Sequence, residues 1–362
     1  MLRTTKLLLL MFLASCSPRE NVREITTIPS EKTIVYEPET GDKLLDHSLA
    51  VSPYGDAKNA VLLLLPMSGS NAAIGRDILN ACVLMDAKIG CKNVVFYVAD
   101  TANSSLEKSN LYDEFRNKNL KAIIGPVFFH EAKQYSALFP NIPVLTFSNN
   151  TKVNNEHTVA CGMSPENEIR ALFSFAASKN INSFMIMLPE GEFGDQVLAS
   201  IRKEAGKRGL DEDMDIVRYS SISSRDAMKC LRTSGKRAAF VVDPLLDASK
   251  LNDTYVFTLS SSALSNSNAW NGSFFAFVDN SEQKEFVEKY QSLFGKSPSI
   301  LDIIGYDLAK AACLSIENGD PILEKNYSGC LGKFSLKKGQ GLNRKLKIFC
   351  LQNSQRAEIG AE

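Results

Sequence analysis

The sequence has no excess of charge of either sign: 41 lysines and arginines stand against 41 aspartates and glutamates. So balanced a chain offers no basic field for nucleic acid and no acidic tail, and nucleic acid is not expected as a partner. Histidine is scarce. His47, His130 and His157 are the three present, and none has the spacing of a metal ligand set. None of the eight cysteines falls in a C-x-x-C pair, which removes the usual zinc and redox signatures. Catalytic signatures are missing as well. A nucleophile elbow needs glycine two residues before its serine, and "PMSGS" puts Pro66 there. Gly295-Lys296-Ser297 resembles the end of a P-loop, but Tyr290 stands where that loop begins with glycine. No G-x-G-x-x-G follows a strand. The expectation is a protein that is not an enzyme and holds neither metal nor cofactor. Beyond the N-terminus, no stretch is long and apolar enough to span a bilayer.

The N-terminus is informative. Arg3 and Lys6 precede a nearly continuous apolar run, Leu7 to Leu13, and then the small residues Ala14 and Ser15. This is the layout of a secretory signal peptide, too short for a mature membrane span. Leu13-Ala14-Ser15-Cys16 is similar to the bacterial lipobox, whose cysteine thiol receives a diacylglycerol and becomes the mature N-terminus. The alternative is an ordinary signal peptide with a chance cysteine. On the first reading residues 1–15 are removed and Cys16 is the lipidation site. Several acyl chains on one residue give stable anchoring. Ser17 in place of aspartate resembles the pattern sorted to the outer membrane, facing the periplasm. Residues 16–58 are polar, carry scattered prolines and read as a tether.

From residue 59 an alternation sets in. "AVLLLLPM" is a short unbroken apolar run, the mark of a strand buried on both faces. "SNAAIGRDILNACVLMDAKIG" then follows at helical spacing and ends in glycine. Strand and helix alternate through "NVVFYVAD", "LKAIIGP" and "IPVLTFS", and a second series runs from "ENEIRALFSFAASKN" to "TYVFTLS". Alternation of this kind implies right-handed crossovers in mostly parallel sheets flanked by helices. Two series imply an α/β fold of two lobes with a cleft between them. Lobe I is expected at about 59–156 and 278–325, and lobe II at about 157–277 and 326–355. The tail "CLGKFSLKKGQGLNRKLKIFCLQ" reads as a C-terminal β-hairpin turning near Gln340. That turn would bring Cys330 and Cys350 to near-facing positions, which makes them the candidate disulfide.

Ligands of such sheets sit beyond the carboxyl ends of the strands. The residues there are Ser68, Gly69 and Ser70 after the first strand, Pro126, Phe128 and Phe129 after the third, and Ser148, Asn149 and Asn150 after the fourth. Glu190, Phe193 and Asp243 are their counterparts in the second series. These are the candidates for lining the cleft and meeting a small-molecule ligand. The alternative is that glycine and proline at strand ends serve the turns alone.

"VLLLLPMSGSNAAIGRDILNACVL", "IIGPVFF", "IPVLTFSNN", "LPEGEFGDQV" and "IIGYDLAKAACL" resemble the type 1 periplasmic-binding fold of branched-chain amino-acid receptors. The narrower resemblance is to the penicillin-binding-protein activator lipoproteins. It rests on Leu-Pro-x-Ser-Gly, a Gly-Pro-x-Phe turn, Phe-Ser-Asn after the fourth strand, Ala269-Trp270 ahead of Phe274-Phe275, and a glycine-rich closing hairpin. It covers about residues 60–355. The resemblance implies a non-enzymatic regulator of peptidoglycan synthesis whose partner is a penicillin-binding protein or another cell-wall factor. The second reading is a solute-binding component of an amino-acid-type ABC importer. Two departures weigh between them. Amino-acid receptors usually place serine or threonine after the Gly-Pro turn and Tyr-Gly in the second lobe. Here Phe128 and Phe129 follow the turn, and Phe193-Gly194 replaces Tyr-Gly. A buried charged ligand would lose those hydroxyl partners. The best-known activator also carries a helical-repeat domain ahead of this fold, where this chain reads as a tether.

Overall fold

The computed structural model describes residues 58–359 except 103–107, 211–213, 221–223, 243–246, 252–253 and 279–282, together with residues 24–25, 33–34 and 49–51. Cys16 and Asp243 lie outside the described residues. Two short strands, β1 (Glu24–Ile25) and β2 (Thr33–Ile34), pair antiparallel, and Leu49 and Ala50 pair with Val98 and Tyr97 in the lobe I sheet, so the 16–58 segment expected as a tether is not one throughout: backbone hydrogen bonding ties its end into the fold.

Lobe I is built on β4 (Asn59–Leu65). Its apolar run is buried on both faces. Val61, Leu63 and Leu65 face the cluster formed with helix α1 (Ala72–Ile89) and helix α9 (Ile300–Glu317). Leu62 and Leu64 face the other way, toward Phe115 on α2 (Lys108–Phe115) and Tyr135 on α3 (Phe129–Leu138). Around β4 lie β3 (Leu49–Ala50), β5 (Val94–Asp100), β6 (Leu120–Ile124), β7 (Val144–Thr146) and β8 (Thr158–Ala160), in the order β3-β5-β4-β6-β7-β8. All pairings are parallel except that of β3. Helix α9 begins with a capping box between Ser299 and Asp302 and lies close along α1. A Cβ at Gly305 would stand 2.9 Å from the Ile78 methyl, so glycine is what permits that approach. Helix α8 (Lys284–Phe294) completes this lobe; its Tyr290 hydroxyl donates to the Asp77 carbonyl at 3.2 Å.

Lobe II contains β9 (Phe184–Pro189), β10 (Met214–Tyr219), β11 (Ala238–Val241), β12 (Tyr255–Thr258) and β13 (Phe274–Val278), parallel in the order β10-β9-β11-β12-β13. Helices α4 (Pro165–Ser178) and α5 (Glu192–Gly206) cover one face, where Phe173, Phe184, Phe240 and Phe257 pack. Helix α6 (Ser224–Ser234) and the short α7 (Ser260–Ser265) belong to the same lobe.

The tail departs from its expected shape. β15 (Gly332–Lys337) and β16 (Gly341–Arg344) do form a hairpin, with Lys337 opposite Gly341. They form a three-stranded sheet with β14 (Lys325–Gly329), and that sheet packs on α9 and β8 of lobe I. The segment 326–344 therefore sits on lobe I and not on lobe II. At Lys345 the chain changes sheets. β17 (Leu346–Gln352) and β18 (Gln355–Ile359) extend the lobe II sheet antiparallel to β13. Cys330 lies in the β14–β15 turn, whereas Cys350 lies opposite Phe274 and Ala357 in the other sheet. The two are thus not a pair, because the hairpin ends before the register that would join them. The disulfide among the described residues is Cys91–Cys313, with Cα atoms 5.9 Å apart, tying the turn ahead of β5 to α9.

Asp307 on α9 holds the three-stranded sheet in place. Its carboxylate accepts from the Cys330 and Leu331 N–H groups at 2.6 and 3.3 Å and from both terminal nitrogens of the buried Arg344 at 3.3 Å. Arg344 also donates to the Leu331 carbonyl at 2.9 Å. Burial pushes the Asp307 carboxyl up, and the Arg344 charge and these donors oppose it.

Candidate functional site

The carboxyl ends of β6 and β7 in lobe I face the start of α4 and the loop into α7 in lobe II. Between them lies a cleft of about 600 Å³. Its lobe I wall is shaped by the turn after β6. Gly125 has φ +107, and a Cβ there would stand 2.1 Å from the Leu64 carbonyl oxygen. The Gly125–Pro126 peptide is cis, and the Pro126 carbonyl accepts from the Thr146 hydroxyl at 2.7 Å and the Phe147 N–H at 3.0 Å. These bonds fix the β6 and β7 loops side by side. Val127, Phe128 and Phe129 then point their surface into the cleft, with Ser148 and Asn149 beside them.

The lobe II wall carries Met163, Phe193 and Leu264, and Phe193 remains 43% exposed at the rim. Behind them stands Glu168, on the first turn of α4 and only 3% exposed. One carboxylate oxygen accepts from the Ser260 N–H at 2.6 Å and the other from the Ser260 hydroxyl at 2.9 Å. Burial pushes the Glu168 carboxyl up to about 7, against the lowering effect of the two Ser260 bonds. Among the described residues lining the cleft, Glu168 is the one titratable group, and no lysine, arginine or histidine is present. The cleft is an apolar enclosure with one buried carboxylate and a few hydroxyls. It can hold an apolar group and accept hydrogen bonds; its described lining residues offer no cation to an anion. Among the described residues no group of three or more potential metal ligands comes together.

Of the residues expected from the sequence, Phe128, Phe129, Ser148, Asn149 and Phe193 line this cleft. Ser68, Gly69 and Ser70 do not. Gly69 and Ser70 form an exposed turn with Asn71 ahead of α1. Pro126 is buried behind the lobe I wall. Glu190 is exposed, and its N–H donates to the Tyr219 carbonyl at 2.9 Å. Asn150 caps the turn Thr151–Val153 and borders a separate, polar groove of about 420 Å³ with Glu166 and Asp195. Glu168, Ser260 and Leu264 went unnoticed in the sequence. One signal existed: Glu168 falls in the buried stripe Pro165, Glu168, Leu172, Phe173 of α4, a carboxylate among apolar positions.

Residues 60–232 match the family model of the periplasmic binding proteins. The penicillin-binding protein activator LpoA of Vibrio antiquarius (strain Ex25) is 25% identical over 191 residues, which cover 50% of this chain and 30% of that protein. This chain thus spans about a third of the length of that relative. The C-domain of LpoA from Haemophilus influenzae, a regulator of PBP1A, superposes with a TM-score of 0.66 at 16% identity, covering 83% of this chain and 100% of the domain. A periplasmic ligand-binding protein of a branched-chain amino acid ABC transporter from Burkholderia xenovorans LB400 superposes with a TM-score of 0.66 at 14% identity, covering 83% and 94%. The fold is the two-lobe type 1 periplasmic-binding fold, and the chain is similar in sequence to the activators.

Proposed function

We propose that this chain is a lipid-anchored envelope protein that regulates peptidoglycan synthesis by binding a penicillin-binding protein or another cell-wall factor, without catalysis of its own. The observation that carries this reading is the sequence similarity to the activators, on a fold whose cleft has no cation for a ligand's carboxylate among its described lining residues. The anchor is Cys16, and Ser17 directs it to the outer membrane. The Cys91–Cys313 disulfide fits an oxidising compartment outside the cytoplasm. A regulator needs differential contact with two states of its partner, and no chemistry.

A second reading, a solute-binding component of an importer, is favoured by the shared fold with transporter proteins. The two readings separate on amino-acid binding. Calorimetric titration with leucine, isoleucine, valine and glutamate should give no measurable heat of binding. Micromolar affinity for any one of them would overturn the regulator in favour of import.

A further inference from the structure

The cleft combines features that select a ligand class. We propose that it is a binding site for a small apolar amine, whose carbon skeleton packs against Phe128, Phe129 and Phe193 while its N–H groups donate to Glu168. This assignment is independent of whether the chain docks on a cell-wall synthase.

Glu168 is buried yet forms part of the cleft surface. Ser260 occupies one acceptor site on each of its oxygens. An ionised carboxylate offers about four such sites, so about two remain for a ligand. The Phe128 and Phe193 rings add faces on which a cation is favoured, whereas the Phe129 ring already carries Lys133 Nζ at 4.7 Å. The volume, about 600 Å³, is in the range that encloses small organic ligands. Selectivity follows from what is missing. A carboxylate or phosphate would face Glu168 with no lysine, arginine or histidine among the described residues that line the cavity. A free amino acid would bring a matched amine and an unmatched carboxylate. A neutral apolar molecule would fill the cleft but leave the remaining carboxylate sites without donors.

The carboxyl of Glu168 is pushed up to about 7 by burial, and an ammonium group binds its ionised form. The ionised fraction is about tenfold larger near pH 8 than near pH 6, so amine affinity should rise about tenfold across that interval. Titratable groups on the packed elements include Glu166 and Arg170 on α4, Glu192 and Asp195 on α5, His130, Glu131 and Lys133 on α3, and Asp302 on α9. None of them lines the cavity.

The probe is 2-phenylethylamine, with 2-phenylethanol and phenylacetate as controls of the same shape. Each is titrated calorimetrically into the purified full-length chain at about pH 6 and about pH 8, and thermal unfolding is followed in parallel. The amine should bind, raise Tm and tighten about tenfold toward pH 8; phenylacetate should do neither. Glu168→Gln should abolish both the preference for amine over alcohol and the pH dependence. If that variant does not fold, the pH series on the unaltered chain decides. Absence of amine binding at millimolar concentration, equal binding of phenylacetate, or an affinity that does not change with pH would each overturn the proposal.

Discussion

Breaking the Cys91–Cys313 disulfide cuts the one covalent cross-link found among the described residues of lobe I. The two cysteines are 222 residues apart in sequence. Cross-linking a loop of that length removes denatured-state entropy worth about 5 kcal/mol on the chain-entropy relation, with about 2–5 kcal/mol usual for native disulfides. Cys313 lies inside α9, and α9 packs along α1 and β4, so the bond also pins the helix that carries Asp307 and the three-stranded sheet. The unlipidated Cys16→Ser chain keeps seven cysteines. Unfolded without reductant, it should show five titratable thiols, since Cys91 and Cys313 are joined. Seven would mean that the bond does not form; three would mean a second disulfide, such as Cys330–Cys350. Urea unfolding of the same chain should show a loss of about 2–5 kcal/mol on reduction. The Cys91→Ala/Cys313→Ala double variant should unfold like the reduced chain whether or not reductant is added. A double variant as stable as the oxidised chain would refute the reasoning.

Glu168 makes stability depend on pH. Its folded-state value is about 7, above the ordinary 4.5, so the neutral form favours folding. The contribution is fully present below about pH 4.5, is lost as pH rises through 7, and amounts to about 3 kcal/mol across that window. Glu168→Gln should remove this slope and gain stability relative to the unaltered chain at about pH 8, as read by urea unfolding over a pH series; an unchanged slope would contradict the burial of that carboxyl. Replacing Cys16 should release the protein from the membrane: fractionated Cys16→Ser cells should hold it in the soluble fraction. A variant that stays membrane-bound after its signal peptide is cut would exclude the lipid anchor.

The alternation of strands and helices was legible because β4 and β9 are short, nearly unbroken apolar runs between helices of clear 3.6-residue spacing. The aromatic rim was legible too, since Phe128, Phe129 and Phe193 follow the carboxyl ends of strands. Other features depend on tertiary placement. The alternating pattern of residues 341–352 marks strands, but it does not say which sheet each joins; the switch at Lys345 follows from Arg344 being bound to Asp307 while β17 pairs with β13. Cys91 and Cys313 meet only because α9 returns across α1, which no spacing records. The turn Ser68 to Ser70 has the same strand-end position as the rim phenylalanines, yet it folds outward as an exposed turn. Glu168 escaped notice because a glutamate in a helical first turn ordinarily faces water.

The central claim is that this chain acts by contact with the cell-wall synthetic machinery. It is tested most directly by in-cell photocrosslinking from exposed positions on both lobes, such as Tyr112, Phe193 and Tyr255, with the products identified by mass spectrometry. The account predicts recurrent crosslinks to a penicillin-binding protein or an accessory factor of peptidoglycan synthesis. Reproducible crosslinks confined to an inner-membrane permease would contradict it.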